Sequence, residues 1–128
     1  MALNIGVAFK NSILDQLDTT FPAGSTLKVY TGSRPTNTTD AATGTLLYTV
    51  TLPATPWAAA SGGSKSKNGT WSATSVAAGA SGWARLANAA DNIRVDFTVG
   101  TSGADIIVNT VTVLNAKTQT ITAITVTA

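Results

Sequence analysis

Histidine, cysteine and glutamate are all missing from this 128-residue chain. Without imidazole there is no Ser-His or Cys-His nucleophilic machinery and no ordinary general base near neutral pH. Without thiols there are no disulfides, and the usual zinc, copper and iron ligand sets lose their main donors. Acid–base chemistry would have to come from Asp15, Asp18, Asp40, Asp91, Asp96 and Asp105, which are scattered and mostly lie beside turns. A carboxylate-only hydrolase is the one enzyme class left to consider, and the expectation is that the chain is no enzyme and carries no cofactor.

Charge is scarce too. Charged residues make up 11% of the sequence, against about 25% in an ordinary soluble domain. The formal net charge is only +2. Lys65 and Lys67 are the one close cationic pair, in a Gly/Ser-rich stretch, so no basic stripe suggests nucleic acid as a partner. No apolar run approaches the roughly 20 residues a membrane helix needs. Met1–Lys10 lacks the basic and apolar regions of a signal peptide, which predicts synthesis in the cytoplasm and exit, if any, within an assembly or by lysis.

What is abundant is threonine and alanine, with 44% hydrophobic residues overall. Threonine's branched Cβ suits a pleated surface, and the length suits a single domain over residues 1–128. Ile5, Phe9, Ile13 and Leu17 recur every fourth residue with Leu14 beside them, which predicts an amphipathic helix over residues 3–18. Asn4 can cap it, and Phe21-Pro22-Ala23-Gly24 ends it.

From residue 25 the period becomes two. Strands are predicted over Thr26–Thr31 and Thr45–Leu52, then around Trp71, over Trp83–Ala87, Ile93–Val99, Asp105–Asn109, Val111–Leu114 and Thr118–Thr127. Gly32–Gly44 is a polar loop with Pro35 fixing a turn. Ala58–Lys67 is a loop of small residues, and Gly79–Gly82 is a turn. In the last strand the apolar phase slips between Ile121 and Ile124, the mark of a β-bulge or of burial on both faces. The fold class expected is mainly β: an antiparallel β-sandwich or jelly roll of seven to eight strands with one N-terminal helix.

Three constellations invite a chemical reading. Asp91, Asp96 and Asp105 with Asn92 and Asn109 are oxygen ligands of the type calcium takes, although turns use the same residues and no metal site is predicted. Glycine pairs at Gly62-Gly63 and Gly100–Gly103 match no phosphate loop and read as turns. Trp57, Trp71 and Trp83, with Tyr30 and Tyr48, are either a platform for sugar rings or anchors of a core or interface.

The order of the segments resembles small phage virion proteins of the capsid decoration (cement) type. The likeness rests on Met1-Ala2-Leu3-Asn4 with its helix, Leu27–Pro35, Gly44–Leu47, Ala60–Gly63 ahead of Gly69-Thr70-Trp71, Gly82–Arg85 and Val99–Asp105. It covers nearly the whole chain. It implies a β-sandwich seated on a shell, often as a homotrimer, transfers no active-site residues and does not separate head from tail; the first expectation is a decoration subunit bound to the major capsid protein on the virion head. A tail, baseplate or fibre component and a carbohydrate-binding surface module stand as alternatives. The contacts expected are the helix stripe (Ile5, Phe9, Ile13), the Ser33–Thr39 loop with Arg34 and Pro35, and the Trp57–Lys67 loop with Trp57, Lys65 and Lys67, since loops on a rigid scaffold carry contacts.

Overall fold

The computed structural model describes residues 5–127. Among them one helix precedes nine strands: α1 (Val7–Thr20), β1 (Thr26–Thr31), β2 (Leu46–Thr51), β3 (Ser64–Ser66), β4 (Ser72–Thr74), β5 (Gly79–Ala87), β6 (Arg94–Gly100), β7 (Ile106–Val108), β8 (Thr112–Val113) and β9 (Thr118–Thr127). The protein is mainly β, as its composition predicts. The strands run β2-β1-β5-β6-β7-β9-β3 across one continuous sheet, with β8 added to β5 and β4 to β9. The sheet curls into a half-barrel. Buried side chains from both ends of the path join in one core, including Leu27, Val29, Leu86, Phe97, Ile106 and Ile121.

The pairing departs from the all-antiparallel expectation at one step. β6 and β7 are parallel, Val99 opposite Ile106 and Gly100 opposite Ile107. A parallel crossover ordinarily takes a dozen or more residues, yet only residues 101–105 connect these strands. Asp105 holds the tight return: its Oδ2 accepts from the Thr98 amide at 3.0 Å and the Thr98 hydroxyl at 3.1 Å, and its own amide donates to that hydroxyl at 3.1 Å.

Two irregularities explain why alternation alone misplaces some residues. The β1–β2 register slips between Val29 and Tyr30, so Leu47 falls outside the pairing and is buried together with Tyr48. The predicted slip in the last strand is present: Ile107 faces Ala123 while Val108 faces Ile121, leaving Thr122 as the extra residue. Ile121 and Ile124 are thereby both buried.

Three sequence expectations are corrected here. Gly79–Gly82 is the start of β5 rather than a turn. Gly82 is there for close approach, since a Cβ on it would lie 1.9 Å from the Gly32 carbonyl oxygen. Ser64–Ser66, expected in a loop, pairs with Thr125–Thr127 as β3. The helix spans Val7–Thr20 rather than 3–18, with Gly6 as its N-cap, a position where glycine costs far less than in a helix interior. The proposed cap Asn4 lies outside the described residues.

Candidate functional site

The helix is fastened by polar contacts rather than by an apolar stripe. Leu14 is its only buried residue, and Leu17 packs partly against the core. The hairpin holding β3 supplies the rest. Lys65, whose side chain is fully buried, places its ammonium 2.9 Å from Asp15 Oδ1 and 3.0 Å from Asp18 Oδ2. The Ala60 amide donates to Asp15 at 3.2 Å and the Gly63 amide to Asn11 at 3.0 Å. Burial depresses the Lys65 pKa, but the hydrogen bonds it donates to Asp15 and Asp18, together with their negative charges, outweigh it and hold the amine above its ordinary value. The Lys65 hydrogen bond, aided by the Ala60 amide, holds the Asp15 carboxyl below its ordinary value. Trp57 bridges to Lys67 across the hairpin and donates its indole N–H to the carbonyl of Phe21, the helix C-cap, at 3.1 Å.

This attachment leaves three apolar residues of the helix outward: Val7 at its first turn, 54% exposed, Phe9, 61%, and Ile13, 44%. The reason is geometric. A strict four-residue repeat overshoots the 3.6-residue turn and drifts about 40° per step, so the stripe read from the sequence winds around the helix. Leu14 and Leu17 face inward while Phe9 and Ile13, four apart, form a ridge toward solvent.

The second feature is the outer face of β1, β5 and β6. In register, Lys28 lies opposite Arg85 and Arg85 opposite Asp96; one step along, Tyr30 lies opposite Trp83 and Trp83 opposite Thr98. Arg85 grips Asp96 with two donors, at 2.8 and 3.0 Å, and both side chains are nearly buried. That hydrogen bonding raises the Arg85 pKa against the opposing effect of burial. Tyr30 stacks on Trp83 with ring centres 4.7 Å apart.

The polar loop between β1 and β2 is strapped over this face. Trp83 donates to the Thr43 carbonyl at 3.2 Å, Arg85 to that of Asp40 at 2.8 Å and Arg94 to that of Thr38 at 3.2 Å. The loop ends meet, with the Thr31 amide 3.1 Å from the Thr45 carbonyl, which makes the segment a compact Ω-loop. Gly44, at φ +82°, fits there because a Cβ would lie 2.1 Å from the Thr31 carbonyl oxygen.

The eight predicted contact residues do not form one surface. Phe9 and Ile13 stand on the exposed helix ridge, and Ile5 is half-buried just ahead of the helix. Arg34 is exposed and Pro35 half-buried on the strapped loop, beside a cleft of about 540 Å³ shared with Thr36, Thr38 and the start of β6. In the Trp57–Lys67 loop, two of the three named side chains are drawn inside the molecule. Trp57 is buried, edge-on to Trp71 at 5.0 Å. Lys65 is a core residue whose charge is used internally, while Lys67 is half-buried and donates to the Gly69 carbonyl at 3.0 Å.

The chemical constellations are likewise dispersed. Trp57, Trp71 and Trp83 are 3%, 0% and 0% exposed, so they present no open stack to a sugar. Of the oxygen ligands, Asp91 binds Arg94, Asp96 binds Arg85, Asp105 clamps Thr98 and Asn109 accepts from Thr122. Among the described residues no group of three or more acidic side chains is placed to hold a metal ion. The Lys65 clasp is what the sequence reading missed. Its signal was Asp15 and Asp18, three apart on one helix face, and the two-residue alternation of Ser64-Lys65-Ser66-Lys67.

Comparison with known protein families, characterised proteins and solved structures finds no match to this chain.

Proposed function

We propose that the chain is a non-enzymatic structural protein of a phage virion, a capsid decoration subunit that binds the major capsid protein, associates with itself as a trimer and stabilises the head. The observation that carries the reading is the Phe9–Ile13 ridge. Phe9 and Ile13, with Val7 in the first turn, point to solvent from a helix whose other side is clasped to the sheet. Exposed apolar residues grouped on a fixed element mark contact surfaces. A chain with only 11% charged residues desolvates at low cost on docking, and its threonine hydroxyls suit a polar rim. On a preassembled lattice, weak contacts act as intramolecular ones, so a modest ridge suffices. The reading takes the curled sheet as a sandwich-like body, with β1, β5 and β6 as one layer and β7 and β9 as the other, supported by the core they share.

The test is cosedimentation of the purified chain with heads that lack it, alongside the Phe9→Asp/Ile13→Asp double variant. The parent chain binds at a copy number set by the capsid lattice and raises the temperature at which heads open. The variant keeps its melting temperature but loses affinity about tenfold or more, as loss of a central anchor does. A chain left in the supernatant, or present at a few copies per virion, overturns the reading; the latter result points to a tail or fibre component.

A further inference from the structure

We infer that the groove beside Lys28 on the outer face of β1 and β5 is a binding site for a small monocarboxylate. It holds about 420 Å³ between the strapped loop, which contributes Ala41 and Ala42, and the turn after β5, which contributes Asn88 and Ala89. That volume lies within the range of small-ligand sites, about 300–1,000 Å³.

The case is one of unbalanced charge. Lys28 and Arg85 are directly opposite on paired antiparallel strands, an arrangement that repels. Arg85 cannot be relieved by a ligand and cannot help one, since its donors are taken by Asp96 and the Asp40 carbonyl. Arg94 is spent in the same way on Asp91 and the Thr38 carbonyl. The groove and its backing thus hold three cations against two carboxylates. Among the described residues Lys28 makes no ion pair or side-chain hydrogen bond; Asp91, the carboxylate in the same lining that feels its charge, is held by Arg94, so the groove keeps one positive charge in excess.

The ligand class follows from what is free. A single ammonium is a point charge that one carboxylate neutralises. Both guanidinium forks, the groups that favour phosphate, are occupied. The lining offers methyl groups of Ala41, Ala42, Ala87 and Ala89 beside polar Thr26, Asn88 and the Arg94-paired Asp91, so a short aliphatic stem fits the alanines with its carboxylate turned to Lys28. The site stands apart from the capsid reading: failure of the chain to bind heads leaves it untouched, and failure of the site leaves the ridge untouched.

The experiment is an amide NMR titration of the full chain with sodium butyrate at constant ionic strength, with butyramide and inorganic phosphate as parallel arms. The expected result is a saturable shift of the Thr26, Lys28, Asn88 and Ala89 amides at millimolar butyrate, with butyramide about tenfold weaker or more, the usual scale for losing a charge-assisted bond. Lys28→Met loses the response with its melting temperature unchanged, and Lys28→Arg keeps it. Absence of a saturable shift, an equal response to butyramide, phosphate binding as tightly as butyrate, or an unchanged response in Lys28→Met overturns the inference.

Discussion

The helix and the sheet are held to the molecule by opposite means. The sheet closes around an apolar core in which Trp71, Leu27, Leu86, Ile106 and Ile121 are fully buried. The helix contributes one buried leucine and is otherwise fastened by the ammonium of Lys65 and two half-exposed carboxylates. Burial of apolar surface is non-directional and insensitive to pH. An ion clasp is directional, depends on both charges and weakens when either is lost. The sheet is therefore the persistent scaffold and the helix an attached part, joined where pH and single charges can act on it.

That contrast breaks most visibly at Trp71. Trp71→Ala empties the contact with Trp57 and is expected to cost roughly 3–5 kcal/mol, the range for truncating a buried aromatic. Denaturant unfolding followed by tryptophan fluorescence measures it, and a loss below 1 kcal/mol, on the order of a surface change, would show that the core lies elsewhere. Next in size is Asp96→Asn. It leaves Arg85 buried without its counter-charge and is expected to cost about 3 kcal/mol. Because Arg85 also holds the Asp40 carbonyl, limited proteolysis should cut the Gly32–Gly44 loop faster in this variant. Loss of stability without faster cutting would mean that the strap does not depend on Arg85.

Much of the sheet was legible because its strands are long and alternate. Thr26–Thr31 and Thr118–Thr127 fall where the sequence places them, and the slipped phase at Ile121 and Ile124 is a real bulge. The short strand β3 was not legible. Three residues of serine and lysine carry no apolar pattern, and their strand state comes from pairing with Thr125–Thr127. Gly79–Gly82 misleads for the opposite reason: glycines that signal a turn locally serve here to let backbones touch. Asp96 lies between the apolar Val95 and Phe97, a position that in plain alternation faces water, whereas the Ω-loop covers that face and its side chain is only 5% exposed. Of the candidate contacts, Phe9 and Ile13 stood out as apolar residues at helical spacing. Which side of the helix would be free was not readable, because that is set by Asp15 and Asp18 meeting Lys65, 50 and 47 residues further along the chain.

The smallest effect on the sheet, and the sharpest on the comparison, is expected from the clasp itself. In Asp15→Asn/Asp18→Asn the buried ammonium loses both counter-charges. The helix should detach while the sheet keeps its unfolding transition, visible as faster amide exchange over Val7–Thr20 only. The pH dependence has a defined sign. The folded Asp15 carboxyl titrates below its ordinary value of 3.8, so its contribution is present above that value and is lost as pH falls through the lowered one. The folded Lys65 amine titrates above its ordinary value of 10.5, so its contribution is complete below that value and is lost as pH rises through the raised one. The helix is thus held across the whole neutral range and released at both extremes, acid first in any ordinary buffer. Helix amides whose protection, corrected for the intrinsic exchange rate at each pH, is as high at pH 2.5 as at pH 7, or a double variant whose sheet unfolds together with its helix, would show that Leu14 and Leu17 hold the helix and that the two regions are fastened alike after all.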